Sequence, residues 1–377
     1  MSVVAVSTGH RASDHRIFDK EGRTLAEAGF DVSIVAAHPE RERRDGIELV
    51  PLPSSGGRLG RFLVRPWRAL WLVRRQKAAV VHIHDAELLQ ICPILKVLGT
   101  PVVIYDVHED FANLMLHRDW IPPFLRSLVR AVVSGCERLL VGSVDAIVAA
   151  TQPLADRFPG RQRVALYNLP TQRFIERAGA GAAPPSERST DVVHVGVLSS
   201  QRLQFLGETL SILLARRPGT RVLIVGLPPA QRGLMLELTG SAGVEVRGTV
   251  SHEEVARLVQ GAKVGVNVHP YLHPHLEVAV PVKVFEYMAA GCAVVTSWLP
   301  ELDNLLDPGA MRQMSVIREP DPARYAAEIA AWLDDPERLD SATRSLRDTV
   351  RDSVSWDSQA PRLVGLYDDL VASRAST

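Results

Sequence analysis

The chain has 377 residues, enough for two domains with cores of their own, since a single core seldom grows beyond about 250–300 residues. Lys plus Arg and Asp plus Glu both total 43, so a global basic field for nucleic acid is absent and any charge attraction has to be local. The three cysteines, Cys92, Cys136 and Cys292, are far apart and without metal-ligand spacing, and read as buried thiols in a reducing compartment.

The apolar start, Val3 to Ser7, is short and has no basic leader, so it reads as a first strand and not as a signal peptide. No uninterrupted apolar run of about 18 residues follows, and the expected location is cytoplasmic. The polar loop Thr8 to Arg16, a helical pattern through Ile17, Leu25 and Ala28, and the strand Phe30 to Ala36 complete a βαβ unit of a parallel sheet. Ligands of such sheets collect beyond the carboxyl ends of the strands, where Gly9, His10, Asp14 and Arg16 fall.

From Gly56 to Lys77 the sequence is basic, without one acid, and interleaved with Phe62, Trp67, Leu70 and Trp71. Such a stretch can lie on an anionic bilayer surface, or cover the sheet with a solvated basic face. Val80 to Asp85 and Pro101 to Asp110 are buried-type strands that each deliver histidine and carboxylate at the carboxyl end, which suggests one cleft; His82 also fits a plain core histidine. The helix Phe124 to Leu140 is expected to turn Leu128, Val132 and Leu139 inward and Arg126, Arg130 and Arg138 outward. Asp145 to Thr151 and Val164 to Pro170 read as the last strands of this half. Ala178 to Ser189, AGAGAAPPSERS, has no residue large enough to build a core and is the expected linker.

The second half starts over with the strand Val192 to Val197, a helical pattern from Phe205 to Ala215, and the strand Val222 to Gly226, again doubly wound. Val244 to Gly248, a helix from Glu253 to Val259, and Val264 to Pro270 follow, the last opening into Tyr271 to Glu277. His273 and His275 invite a zinc reading, but prolines dominate the loop and no helical spacing sets three ligands on one face. No Gly-x-Gly-x-x-Gly or Walker lysine loop follows any strand, and no Asp-x-Asp stands at a strand end to hold a divalent ion.

The centre of the chain is Pro281 to Gly291, a short helix opened by proline and closed by glycine, followed by the buried strand Cys292 to Thr296. Unpaired N–H groups make a helix start a seat for phosphate, and Lys283 strengthens it. Glu286, one turn along, can only accept hydrogen bonds and suits the paired hydroxyls of a ribose. A first-turn carboxylate with a solvated lysine neighbour would look the same.

The string PVKVFEYMAAGCAVVTS closely resembles the donor-site signature of GT4-like glycosyltransferases. The resemblance implies an α/β GT-B fold: two Rossmann-like doubly wound domains facing across a cleft, with a C-terminal helix crossing back. Residues 1–177, with the helix 356–372, would form the acceptor side, 178–189 the linker and 190–355 the nucleotide-sugar domain. Lys283, Glu286 and Tyr287 would bind the donor, Gly196 and Arg202 the diphosphate, and Val246 the base. Leu203 stands where a glycine often follows the basic residue. Glu277 would meet the sugar, although eight residues separate it from Glu286 where the family pattern has seven. "Y-D-x-H-E-D" makes His108 the catalytic candidate, near the donor sugar. "D-x-R-I-F-x-K-E" places His10, Asp14 and Arg16 on the acceptor side, where Asp85 could also orient a hydroxyl.

The implied reaction is retaining, metal-independent transfer from a nucleotide sugar, UDP-linked by family lean, to a small-molecule, glycan or lipid-linked acceptor. The nucleotide sugar is a substrate, so no cofactor is expected, and peripheral contact with the inner membrane surface would run through 56–77. A UDP-sugar epimerase of the same architecture and a non-catalytic nucleotide-binding or membrane-surface protein are the rival readings.

Overall fold

The structure, a computed structural model, describes residues 1–53, 57–100, 102–118, 120–240 and 243–375; Gly56 and Pro101 lie outside these, as does the Arg58 side chain. Two compact units emerge, one of Met1–Asn168 with the chain from Gln359 onward, the other of Leu169–Ser358.

The first unit is built on β1 (Ser2–Arg11), β2 (Asp31–Ala37), β3 (Glu42–Arg44), β4 (Ile47–Pro51), β5 (Val80–Ile83), β6 (Val102–Val107), β7 (Ala146–Ala149) and β8 (Gln162–Ala165). Their order is β3-β4-β2-β1-β5-β6-β7-β8, parallel except for the edge pair β3–β4. β5, β6 and β7 are buried at every position, which is why they read as apolar runs without alternation. The strand order reverses at β1, whose neighbours are β2 and β5, so the crevice for a ligand opens at the carboxyl ends of β1 and β5.

The second unit carries β9 (Thr190–Val195), β10 (Val222–Val225), β11 (Val244–Arg247), β12 (Ala262–Asn267), β13 (Ala293–Ser297) and β14 (Ser315–Ile317), all parallel, in the order β11-β10-β9-β12-β13-β14. Its reversal falls at β9. The helix Val282–Ala289 packs against β12 and β13, with Phe285, Met288 and Ala289 buried as their spacing predicts. Pro281 caps this helix from outside its first turn. Gly291, at φ +66°, ends it in a left-handed turn in which Cys292 N donates to Tyr287 O and Gly291 N to Met288 O, each at 2.9 Å.

Beneath the helix, the fully buried Tyr287 ring lies where a side chain on Gly265 would stand; a Cβ there would be 2.3 Å from Tyr287 Cγ. Gly265→Ala is therefore expected to cost about 1–3 kcal/mol through overpacking. A melting temperature lowered by several degrees in a thermal scan checks this, and an unchanged one refutes the contact.

Two expectations need correction. Residues 178–189 are not a spacer but lie inside the second unit, because Arg188 is buried and ties them down. Its guanidinium donates to Ala262 O at 2.8 Å, Gly291 O at 2.9 Å and Ala290 O at 2.9 Å, which places a cation on the carbonyl end of the helix Val282–Ala289. The helix Arg126–Leu140 does not turn Leu128, Val132 and Leu139 inward; all three are exposed, and its one buried residue is Glu137, which accepts from Tyr105 Oη at 3.0 Å. Periodicity shows which residues share a face. It does not show that anything covers it.

The basic stretch forms the helices Gly57–Leu63 and Arg65–Gln76, and part of it turns inward: Arg61 pairs with Asp85 and Glu87, and Arg65 donates to Thr8 O at 2.9 Å. The last helix, Trp356–Ala375, enters the first unit at Gln359, where Tyr367 Oη lies 2.8 Å from His82 Nδ1.

Candidate functional site

Each unit concentrates polar side chains at the carboxyl ends of its central strands. In the first, His10, Asp85, Asp106, His108, Glu109 and Arg118 help line a pocket of about 260 Å³. Its organiser is Asp106, at the end of β6 and buried. Arg16 grips both carboxylate oxygens, Nε to Oδ2 and Nη2 to Oδ1, each at 2.8 Å, and His108 Nε2 lies 2.7 Å from Oδ2. Burial opposes the charge on Asp106, but Arg16 and His108 outweigh it and hold the group well below the usual carboxylate range. An ionised carboxylate only accepts, so His108 Nε2 carries a proton toward it.

Beneath them lie His84, 3.1 Å from Asp106, and Glu21, whose carboxyl is pushed well up, first by burial and then by the charge of Asp106. Glu21, His82, His84 and Asp106 have the ligand types of a metal site within 4.8 Å of one another. The cation among them is a protein group: the Arg16 guanidinium lies 3.1 Å from Glu21 as well as on Asp106, and is buried with them.

Arg16 is thus a buried strut of the pocket floor, not a group that meets an acceptor. Asp85 is also structural. Its Oδ2 accepts from Ser7 Oγ at 2.6 Å, Thr8 N at 2.8 Å and Gly9 N at 3.1 Å, and its Oδ1 from Arg61 at 3.0 Å, so it fixes the carboxyl-terminal part of β1. That end of the strand presents His10, whose Nδ1 is 3.3 Å from Asp14 and whose ring is 5.2 Å from that of His108. The hydrogen bond to Asp14 raises the His10 pKa against desolvation. Asp14 itself caps the π-type helix His15–Gly22, accepting from Arg16 N at 2.9 Å and Ile17 N at 3.3 Å.

In the second unit the strand order reverses where β9 runs into Gly196, at φ +110°, a backbone that a side chain would strain. The Lys283 ammonium lies where a Cβ would project from Gly196, 2.9 Å from that position. Arg202, in the first turn of the helix Ser200–Arg216, donates Nε to Val268 O at 2.7 Å, while its Nη2 is buried without a hydrogen-bond partner. Burial, then repulsion from Arg202, lowers the Lys283 pKa to about 7, with Glu286 opposing. The same two cations, after burial, push the neighbouring His269 imidazole down to about 2. Two cations held beside a left-handed glycine and the start of a helix make a seat for a polyanion.

Glu286 lies one turn beyond Lys283, and its Oε1 is 2.8 Å from His252 Nε2, a ring that stacks on Phe174 at 4.7 Å. Tyr287 presents no surface, contrary to its placement among donor contacts: it is fully buried, and its hydroxyl accepts from Val195 N at 2.9 Å, which braces the approach to Gly196. The Val246 side chain packs against the core of the unit. Glu277 is exposed in the loop before the helix Val282–Ala289.

Sequence reasoning missed Asp106, His84, Glu21 and His252. Asp106 was within reach, because it stands two residues before His108 and so shares its face of the strand. The others gave no local signal.

Residues 18–166 match the model of a glycosyl transferase 4-like domain, and residues 207–365 that of a glycosyl transferase-like domain. No curated protein matches the chain in sequence. Among solved structures it is similar to sucrose-phosphate synthase from Thermosynechococcus elongatus, at 18% identity and a TM-score of 0.74, covering 99% of this chain and 100% of that one. Anabaena HepE in complex with UDP and glucose gives 12% and 0.71 over 98% and 100%. WaaG, a glycosyltransferase involved in lipopolysaccharide biosynthesis, gives 14% and 0.70 over 97% and 100%.

Proposed function

Because this chain is a glycosyltransferase of the GT4-like type with the GT-B fold, we propose that it moves a sugar from a UDP-sugar to a hydroxyl of a small-molecule, glycan or lipid-linked acceptor, with retention and without a metal. The observation that carries the donor half is the pair Lys283 and Arg202 beside Gly196, with one Arg202 nitrogen buried and unsatisfied. Charge that develops on a departing diphosphate would be met by these two cations and by backbone N–H groups after Gly196. Glu286, oriented by His252, would take the ribose hydroxyls. The lean to UDP is supported by the complexes of HepE with UDP and with UDP-glucose.

In the first unit, His108, held by Asp106 in the wall of the pocket, would approach the reacting groups, and His10 with Asp14 would hold the acceptor hydroxyl. Retention, which the family resemblance implies, needs no protein nucleophile.

A thermal-shift screen across UDP, GDP, TDP and ADP and their sugars tests the reading, because a ligand of the folded form alone raises apparent stability. UDP is expected to give the largest shift; no shift with any of the four would sink the proposal.

The depressed pKa of Lys283 adds a pH signature. Below about pH 7 the ammonium is already charged and UDP affinity should be flat. Above it the free protein must take up a proton to bind, so affinity should fall by up to about tenfold per pH unit. UDP is itself fully ionised in that range, with its last phosphate pKa near about 6. Calorimetry in buffers of different ionisation enthalpy reads the proton uptake directly. Lys283→Arg, always charged, should abolish both effects.

A further inference from the structure

Transfer in the first unit turns on His108, and a column of buried polar rings packs beneath it. β5 and β6 pair with His82 beside Ile104 and Ile83 beside Tyr105, which sets His84 beside Asp106 one residue on. Alternation along a strand puts His82 and His84 on the same face of the sheet as Asp106 and His108. There His84 Nδ1 lies 3.1 Å from Asp106 Oδ2 and 3.3 Å from His108 Nε2. The His82 ring lies against that of His84, with centroids 4.5 Å apart, and Tyr367 Oη of the last helix is 2.8 Å from His82 Nδ1. Tyr367, His82 and His84 are all buried, and the column they form ends at His108 in the pocket wall.

Packing alone does not call for these groups. The strands are mostly aliphatic, and Nε2 of both His82 and His84 is buried without a hydrogen-bond partner among the described residues, which costs stability that an aliphatic side chain would keep. Local conflicts of this kind are retained where function needs them. Nor is His84 required to hold Asp106, because Arg16 already grips both carboxylate oxygens. What His84 adds is a wall. Its ring meets that of His108 edge to face, at 5.5 Å and 74°, while His10 lies 5.2 Å from His108, so two rings bound the space in which His108 can turn. Asp106 is ionised and only accepts, so His84 Nδ1 carries a proton toward it. Burial holds the His84 imidazole below its ordinary pKa, against the hydrogen bond to Asp106, so this wall is neutral and brings no charge against His108.

We propose that His84 is a positioning residue for His108, held from beneath by His82 and by Tyr367 of the last helix, so that His108 keeps one orientation on Asp106 in the pocket. Tyr367 acts through two intervening rings and touches no reacting atom. The inference rests on the reading of His108 as the group beside the reacting atoms.

NMR of the full chain labelled with nitrogen-15 in its histidine rings tests it without any substrate, the His108 signals being identified by their loss in His108→Gln. The parent should show one set of His108 ring signals, with Nε2 protonated. His84→Leu and Tyr367→Phe should split or broaden that set, and His84→Asn, which keeps an N–H near the place of Nδ1, should restore it. Hydrolysis of UDP-glucose gives the second readout. Its kcat should fall by about 10²-fold in His84→Leu and about tenfold in Tyr367→Phe, since a misplaced group loses effect steeply with distance, while KM stays unchanged because the donor seat is in the second unit. UDP-induced thermal shifts equal to the parent's would show that each variant folds. Parent-like ring signals and turnover in His84→Leu and Tyr367→Phe, beside an inactive His108→Ala, would overturn this inference alone. Full turnover in His108→Ala would sink the reading of the pocket and the inference with it.

Discussion

Lys283→Ala is expected to lower kcat/KM by about 10²–10³-fold and to weaken UDP binding by about tenfold or more, because it removes a charge-assisted contact that matters most as charge builds on the leaving group. The folded protein should not suffer. Burial and Arg202 already hold this lysine at about 7, below an ordinary value of about 10.4 in the unfolded chain, so its charge is a liability until an anion arrives. Between those values the unfolded state binds more protons, and this group makes the unliganded protein more stable as pH rises from 7 toward 10. A melting curve of Lys283→Ala that matches or exceeds the parent, beside lost turnover, is the expected pair of results. A parallel loss of stability and turnover would mean that the lysine is a structural member. Glu286→Ala should act on UDP affinity, by about tenfold, through hydrogen bonds that a truncated side chain cannot accept.

Asp106→Asn is expected to have the largest effect in the first unit, on stability and activity together. The amide removes the charge that Arg16, His84 and His108 share, leaving the buried guanidinium only Glu21, whose carboxyl burial pushes toward its neutral form, at a cost of up to about 3–5 kcal/mol. For a unit of this size that is a fall of roughly 6–20 °C in melting temperature. His108→Ala separates the two roles. It leaves the Arg16–Asp106 pair in place, so the fold should tolerate it, while turnover falls by about 10²–10⁴-fold if the ring handles a proton or polarises the reacting groups. Unchanged turnover in His108→Ala would remove the residue from the chemistry.

The candidate donor site was legible in the sequence because its parts are local. Lys283 and Glu286 sit one turn apart on a helix that proline opens and glycine closes, and Gly196 follows directly on an apolar strand. The βαβ pattern likewise fixed both sheets, since parallel strands buried on two faces cannot hide their composition.

What stayed hidden depends on partners far along the chain. Arg16 reads as a polar loop residue until Asp106, ninety residues on, claims its guanidinium. Glu21 gives no hint of burial, because a carboxyl that loses its charge leaves no mark in composition. Tyr287 sits inside the donor signature, yet its ring replaces the side chain that Gly265 lacks. Arg188, in a stretch that looks like a spacer, is held by carbonyls from three residues more than seventy positions away.

The most direct measurement is a crystal structure of the protein with UDP. The diphosphate should lie within hydrogen-bond distance of Lys283 Nζ, Arg202 and the backbone after Gly196, with the ribose hydroxyls on Glu286. A nucleotide bound elsewhere, with Lys283 and Glu286 keeping their present neighbours, would contradict the assignment of this helix as the grip on the donor.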